Sequence, residues 1–304
     1  MNPPPFLRLR SLAFAAALLS MASGVARGGE DLTFEFRRQS ETAPGSGRYQ
    51  SLVQSGTWAA SRTALIVYDM WDDHYCRNAA RRVAEMAPRM NEVLRAARAR
   101  GALIIHCPSG CMDRYEGTPQ RELAKQAPPV ETAVPLESWC HLDEGREPPL
   151  PVKIEQPCDD TGELREQVRF YSRQIEALEI AEGDAVTDSA EAFYLMRQRG
   201  IENVILLGVH TNMCVLDRPF GIRQLVRQGL NVTLMRDMTD SMYNPAEEPF
   251  VSHFEGNDLV IAHIERHWCP TATSADLLGD GVVFRFRQDT RPPHRGARIE
   301  EATK

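Results

Sequence analysis

Asn203-Val204-Ile205-Leu206-Leu207-Gly208-Val209-His210-Thr211-Asn212-Met213-Cys214-Val215 is the stretch that decides the fold. Its first half, Asn203 to Val209, is an almost unbroken apolar run of strand length, which suits a strand covered on both faces and hence a parallel sheet. From about Val215 to Gln228 apolar residues recur at helical spacing, so an amphipathic helix is predicted after the turn. Cys214 then stands at a helix N-terminus. Unpaired backbone N–H groups and the positive end of the macrodipole there lower a thiol's pKa and stabilise its thiolate. That environment makes a nucleophile, although a small buried hydrophobe closing a strand-to-helix turn would use the same residue.

A second run, Thr63-Ala64-Leu65-Ile66-Val67-Tyr68-Asp69, is nearly all apolar, ends in a carboxylate and is followed by Met70-Trp71-Asp72-Asp73-His74. It suits a central parallel strand delivering an acid to its carboxyl end, where open α/β sheets bind ligands. Asp69 and Cys214 are therefore expected to meet across one crevice. Taken alone, Asp69 reads more readily as a helix cap or a loop turn than as a functional acid.

The remaining pattern supports a sheet alternating with helices. Asp31 to Gln39 alternates like a strand outside the main sheet, and Glu41 to Gly47 is a loop. Arg77 to Arg100 carries Val83, Met86, Met90, Val93, Leu94 and Ala97 on one helical face, closed by Gly101. Ala102 to His106 is the second strand and Gln120 to Gln126 a short helix. Asp184 to Thr187 resembles a third strand, followed by a helix from Ser189 to Arg199. Asn231 to Arg236 and Leu259 to Trp268 supply a further strand and helix. Gly281 to Phe286 alternates like a strand that would pair with the N-terminal one.

Ala127 to Gly162 is rich in proline and acidic residues without periodicity, and reads as an excursion over the pocket mouth. The domain reading is a signal peptide at 1–28, an N-terminal extension at 29–62, one hydrolase-like domain at 63–276 with an irregular insertion at about 127–182, and a C-terminal strand and tail at 277–304.

These stretches resemble the isochorismatase-like cysteine hydrolase superfamily, which includes nicotinamidases, carbamoylsarcosine amidases and ureidoacrylate hydrolases. Asp69 in ALIVYDMW is similar to the family's acid, and GVHTNMCV to its G-V-x-T-x-x-C-V nucleophile turn. Gly229 to Asp237 is similar to the strand and aspartate that follow, so the resemblance spans roughly Thr63 to Asp240. It implies an α/β fold with an open, mainly parallel sheet and helices on both faces, a Rossmann-like three-layer architecture. It also implies hydrolysis of a small amide or related C–N bond, with Cys214 attacking a carbonyl, Asp69 taking the thiol proton and water opening a thioester. A cis peptide before or close to His210 is implied as well, shaping an oxyanion hole to which the Cys214 N–H contributes. Isochorismate-cleaving relatives work without the cysteine, so its presence points to a carbonyl substrate. Trp71, Val209 and His210 are the substrate-contacting candidates, with Tyr75 and Tyr115 as further flat surfaces for stacking.

At one position the chain departs from the family. Relatives carry a lysine just after the third strand, whereas this chain reads Gly183-Asp184-Ala185-Val186-Thr187-Asp188-Ser189 there. Its three lysines are Lys125, Lys153 and Lys304, the last in the tail. Arg173 is the preferred substitute cation, with Lys125 and Lys153 behind it. An arginine stabilises a thiolate or oxyanion but releases no proton at ordinary pH.

No metal and no cofactor are expected. Nicotinamidases of the superfamily hold a metal through one Asp and two His after the second strand, and Cys107 to Gly117 contains Asp113 but no histidine. Two alternative metal readings remain: a rearranged set of Asp73, His74 and His106, and a zinc site at His106, Cys107 and Cys111, whose spacing fits no standard framework.

Arg8 and Arg10 precede an apolar run from Ser11 to Leu19, then small residues to Ala26, which reads as a secretory signal cleaved near Ala26; an uncleaved anchor is the alternative. The mature protein is accordingly expected to be secreted or periplasmic, in an oxidising compartment and off the membrane. With Cys214 kept free, six of the seven cysteines remain, and six allow fifteen sets of three disulfides. Cys140 with Cys158 is one pairing, which would staple the irregular segment; Cys107 and Cys111 would pair together or line the pocket. A net charge of −7 and the lack of a long basic run exclude a nucleic-acid partner and leave a small-molecule substrate. The family resemblance also implies a homo-oligomer. Two other function classes stay open: a secreted binding protein that has lost turnover, and a thiol redox protein built on Cys107 and Cys111.

Overall fold

The computed structural model describes residues 30–292 together with residues 1, 298 and 299. The expected signal peptide, its cleavage point and most of the C-terminal tail lie outside the described residues.

In chain order the strands and helices are β1 (Leu32–Glu41), β2 (Tyr49–Trp58), β3 (Thr63–Tyr68), α1 (Arg77–Ala99), β4 (Leu103–Cys107), α2 (Pro119–Lys125), β5 (Ala185–Val186), α3 (Glu191–Gln198), β6 (Asn203–Val209), α4 (Cys214–Asp217) and α5 (Ile222–Arg227). They continue through β7 (Asn231–Asp240), α6 (His253–His267), β8 (Thr271–Ala272), α7 (Ser274–Leu278), β9 (Val282–Val283) and β10 (Arg298–Ile299). Eight strands form one sheet in the order β2-β1-β8-β7-β6-β3-β4-β5. From β8 to β5 every neighbouring pair is parallel.

Strand alternation divides the core between two helical layers. Ala64, Ile66 and Tyr68 of β3 pack on one face with Phe193 of α3, Val215 of α4, Leu225 of α5 and Ile264 of α6. Leu65 and Val67 pack on the other with Val83, Met86, Met90, Val93 and Leu94 of α1 and Leu277 of α7. The sheet is thus mainly parallel and covered on both faces, as the continuous apolar runs of β3 and β6 predict.

Strand order creates the functional position. From β3 the chain moves outward through β4 to β5, then returns to the other side of β3 for β6 and moves outward again through β7 and β8. The direction reverses between β3 and β6, where Tyr68 pairs with Gly208. At such a switch point the connections leaving the two carboxyl ends diverge and open a crevice.

The margins differ from expectation. Rather than standing outside the sheet, β1 joins its edge antiparallel to β8 through Arg37 and Thr271, and pairs along its length with β2. Most of β2 is exposed, so it lacks the apolar alternation by which a half-buried strand is read. The Gly281–Phe286 run is strand only at β9, which pairs in parallel with β10 instead of with β1.

Between Gln126 and Asp184 the chain has no helix or strand of its own, but buried polar anchors hold it down. Glu147 Oε2 accepts from His263 Nε2 and Trp268 Nε1, both at 2.7 Å, while Oε1 pairs with Arg223. Asp159 takes both ends of the Arg82 guanidinium at 2.8 and 3.1 Å, and Arg82 also donates to Asp240.

Candidate active site

Asp69 follows the last residue of β3 with φ +46°, a conformation few non-glycine residues adopt. Its N–H donates to Cys107 O at 2.9 Å and its carbonyl accepts from Trp71 N at 2.8 Å, so the kink is fixed from both sides. The carboxyl is fully buried, and Oδ1 accepts the Ser109 N–H at 3.0 Å. From the neighbouring strand, Gly208 has φ +106° and lies against Tyr68; a Cβ there would overlap the Tyr68 carbonyl and sit 2.7 Å from its nitrogen. Only glycine lets β6 run this close to β3. The next peptide, Val209–His210, is cis, where the family resemblance anticipates one.

The turn delivers Cys214 as the first residue of α4, nearly buried at 9% exposure. Its N–H makes no hydrogen bond among the described residues and remains a free donor. The expected continuous helix over 215–228 is in fact two. α4 ends after Asp217 because Pro219 drives the preceding residue out of the helical region, and Arg218 sits at φ −62°, ψ 160°. The chain then turns tightly, with Gly221 N donating to Arg218 O at 2.7 Å, before α5 begins.

Breaking the helix at that point brings a third residue into the crevice. Arg218 Nη2 lies 3.6 Å from Asp69 Oδ2 and donates to Cys214 Sγ at 3.7 Å. Arg218, not Arg173, is the cation facing the thiol. Arg173 pairs instead with Glu176 at 2.7 Å and Asp72 at 3.7 Å. Lys125 is engaged by Glu116 and Glu122 at the end of α2.

The electrostatics differ from the sequence expectation. Burial first, and the adjacent Asp69 carboxylate second, push the Cys214 thiol well above its ordinary range, with Arg218 opposing. A single helical turn supplies too little dipole to reverse this. Burial likewise raises Asp69, against the lowering effects of Arg218, the Cys214 thiol and Ser109. At rest the thiol is therefore neutral, with Asp69 and the Arg218 charge beside it. Asp69 Oδ2, Arg218 Nε and His210 Nε2 are buried polar atoms without a hydrogen-bond partner. Such atoms are rare in folded proteins and mark groups that a ligand can satisfy.

Aromatic rings line one approach. Trp71 donates from Nε1 to Ser109 O at 3.0 Å and stacks on Tyr171 with centroids 4.2 Å apart. His74 stacks on Trp71 at 5.8 Å and lies 5.3 Å from His210. Burial keeps both histidines neutral, lowering His74 to about 4 and His210 to about 3. Tyr171 comes from the unpatterned insertion and was not read from the sequence. Tyr115 instead accepts the Gln174 N–H at 2.8 Å and so holds the insertion down. Val209 packs into the core on the α1 side. A cavity of about 1080 Å³ lies between α6, β1 and Phe284–Arg291 and includes none of Asp69, Cys214 or Arg218. The unpaired atoms of Asp69 and Arg218 lie together elsewhere, beyond the carboxyl end of β3.

No protein-family model matches the chain, and no curated protein does either. Solved structures similar to it include isochorismatase-family and cysteine hydrolase proteins. One is a cysteine hydrolase from Pseudomonas syringae pv. phaseolicola, with 19% identity and TM-score 0.46 over 72% of this chain and 92% of that one. An isochorismatase family protein from Burkholderia thailandensis has 17% identity and TM-score 0.40 over 71% and 93%. A nicotinamidase from Bacillus subtilis has 16% identity and TM-score 0.36 over 67% and 94%.

The two rearranged metal sets do not assemble. His106 is buried between Gln174 at 3.0 Å and Asp184 at 3.2 Å, whereas Asp73 pairs with Arg165. Cys107 Sγ contacts Ser109 Oγ at 3.4 Å, and Cys111 Sγ donates to Pro108 O at 3.1 Å. All seven cysteines are free. The expected partners Cys140 and Cys158 are apart: Cys140 Sγ donates to Gln224 Oε1 at 3.2 Å on α5, while Cys158 lies beside Cys76.

Proposed function

We propose that this chain is an isochorismatase-like cysteine hydrolase that cleaves a small amide or related C–N bond, with Cys214 as nucleophile, Asp69 as proton carrier and Arg218 as a fixed positive charge. The observation that carries this reading is one guanidinium within 4 Å of both the carboxylate and the thiol, at the sheet's switch point.

The chemistry follows from the protonation states. As Cys214 sulfur attacks the carbonyl carbon, its proton passes to Asp69 Oδ2, so no free thiolate is needed in the resting protein. Negative charge moves to the carbonyl oxygen, for which the Cys214 N–H is an available donor. Protonated Asp69 then gives its proton to the leaving nitrogen, the C–N bond breaks and a thioester remains. Asp69, ionised again, takes a proton from water as the water oxygen attacks the thioester. Collapse expels the sulfur, which recovers that proton from Asp69, and the carboxylic acid product departs. Arg218 keeps its charge throughout because a guanidinium does not deprotonate in proteins. Every proton therefore travels through Asp69, and Arg218 offsets charge on sulfur and carboxylate in turn.

The Trp71–Tyr171 stack beside His74 suits a flat acyl group, and the near-burial of Cys214 suits a small one. Export to a secreted or periplasmic location belongs to the same proposal and rests on the sequence from Arg8 to Ala26. The redox alternative has less support, because Cys107 and Cys111 each hydrogen-bond a different oxygen. A binding protein without turnover would retain the pocket and fail the following test. A panel of small aromatic and aliphatic amides and ureides is incubated with the protein, with acid quench and intact-mass analysis. Turnover with an acyl adduct on Cys214, both lost in Cys214→Ser, supports the hydrolase; turnover that survives Cys214→Ser overturns the assignment.

A further inference from the structure

Cys76 and Cys158 form a second sulfur site, remote in sequence and independent of the hydrolase reading. Their sulfurs and an Asp160 carboxylate oxygen all lie within 4.8 Å of one another. Both cysteines are buried, at 0% and 6% exposure. Cys76 precedes the first turn of α1 and has no side-chain cap of its own. The segment carrying Cys158 supplies that cap: Asp160 accepts from Arg77 N at 2.8 Å and Asn78 N at 2.7 Å, and Asn78 Nδ2 donates to Asp159 O at 2.7 Å. Asp159 is also fixed bidentately by Arg82. Residues 158–160 are thus docked on the start of α1 by five hydrogen bonds in which neither sulfur takes part.

Two chemistries suit such a pair: a metal bound with Asp160, or a bond between the sulfurs. The metal is the poorer fit, since both Asp160 oxygens already accept amide N–H groups at a helix N-terminus, with Arg77 at 3.7 Å. The positive end of a helix disfavours a cation there. We propose that Cys76 and Cys158 close as a disulfide that staples the irregular insertion to α1. The Cys76 N–H donates to His74 Nδ1 at 3.2 Å, and His74 stacks on Trp71, so the staple also fixes one wall of the crevice.

The reaction is a two-electron exchange with a small disulfide such as oxidised glutathione. One cysteine, as thiolate, attacks it and releases one reduced glutathione; the other cysteine then displaces the second from the mixed disulfide, and the two protons go to the departing thiolates. Because both sulfurs are buried in the folded chain, the bond forms during folding.

The test is to refold the full chain in a glutathione redox buffer, alkylate free thiols, digest without reduction and map the peptides. A linkage joining Cys76 to Cys158 is expected. The Tm should fall by about 10 °C on reduction, as for a staple closing a long loop, and Cys158→Ala should be insensitive to reductant. The same samples are analysed for zinc. Free thiols at both positions under oxidising conditions, pairing of either with another cysteine, or stoichiometric zinc lost on Cys158→Ala would overturn the proposal. Mapping on the unaltered chain decides the matter even where a variant fails to fold, and none of these readouts depends on hydrolase activity.

Discussion

Arg218 Nη2 stands 3.6 Å from Asp69 Oδ2, and it does so because Pro219 ends α4 at Asp217. A continuous helix would have carried Arg218 onward with α4. The break instead leaves its guanidinium between a buried acid and a buried thiol.

Charge at this position should be tunable independently of chemistry. Asp69 is raised by burial and lowered chiefly by Arg218, so amide hydrolysis should fall with decreasing pH through a limb above the ordinary aspartate range, about 3.9. In Arg218→Gln that limb should move to higher pH by about one unit or more and kcat/KM should drop by about 10²-fold. Arg218→Lys keeps the charge and should hold the limb near its original position. Steady-state pH profiles of the three proteins check this.

Pro219→Ala removes the block to helix propagation through Arg218. We expect an activity loss of about tenfold or more with thermal stability within about 1 kcal/mol of the parent, measured as kcat/KM beside urea unfolding. A loss of stability in proportion to the loss of activity would show the proline to be merely structural.

Acid should destabilise the fold partly through His210. Its folded pKa of about 3 lies below the unfolded value of 6.5, so above pH 6.5 it contributes no pH dependence. As pH falls below 6.5 the unfolded chain takes up a proton that the folded chain refuses, and stability is lost. At pH 5 the expected cost is about 2 kcal/mol, and His210→Gln should lose correspondingly less between pH 7 and pH 5 in urea titrations.

Glu147 ties the insertion to α5 and α6 through Arg223, His263 and Trp268. Glu147→Ala leaves the buried Arg223 without that carboxylate and should cost about 3–5 kcal/mol. Increased proteolysis within residues 127–182 would accompany the loss in limited trypsin digestion.

How much of this was legible in the sequence follows physical lines. The apolar runs of β3 and β6 suit strands buried on both faces, so Asp69 and Cys214 could be expected to meet across one crevice, whereas the direct pairing of β3 with β6 came only from the structure. The family resemblance anticipated the cis peptide at Val209–His210. Arg218 was missed although Pro219 directly follows it, a break signal that the expectation of one continuous helix over 215–228 passed over. Tyr171 left no trace, because the insertion has no periodicity from which to infer orientation. Nor could the thiol's direction of shift be read: a helix N-terminus is visible in sequence, whereas burial beside Asp69 exists only once the strands pair. For the same reason the proximity of Cys76 and Cys158 could not be picked from fifteen pairing schemes.

The proposed activation of Cys214 by Asp69, with no pre-existing thiolate, sets the rate of Cys214 alkylation by iodoacetamide between pH 5 and pH 9, localised by mass spectrometry, in the parent chain and in Asp69→Asn. Selective labelling of Cys214 is expected in the parent, with a rate that follows Asp69 ionisation, and a loss of tenfold or more at neutral pH is expected in Asp69→Asn. Equal rates in the two proteins, with a midpoint near the free-thiol value of about 8.5, would contradict that activation.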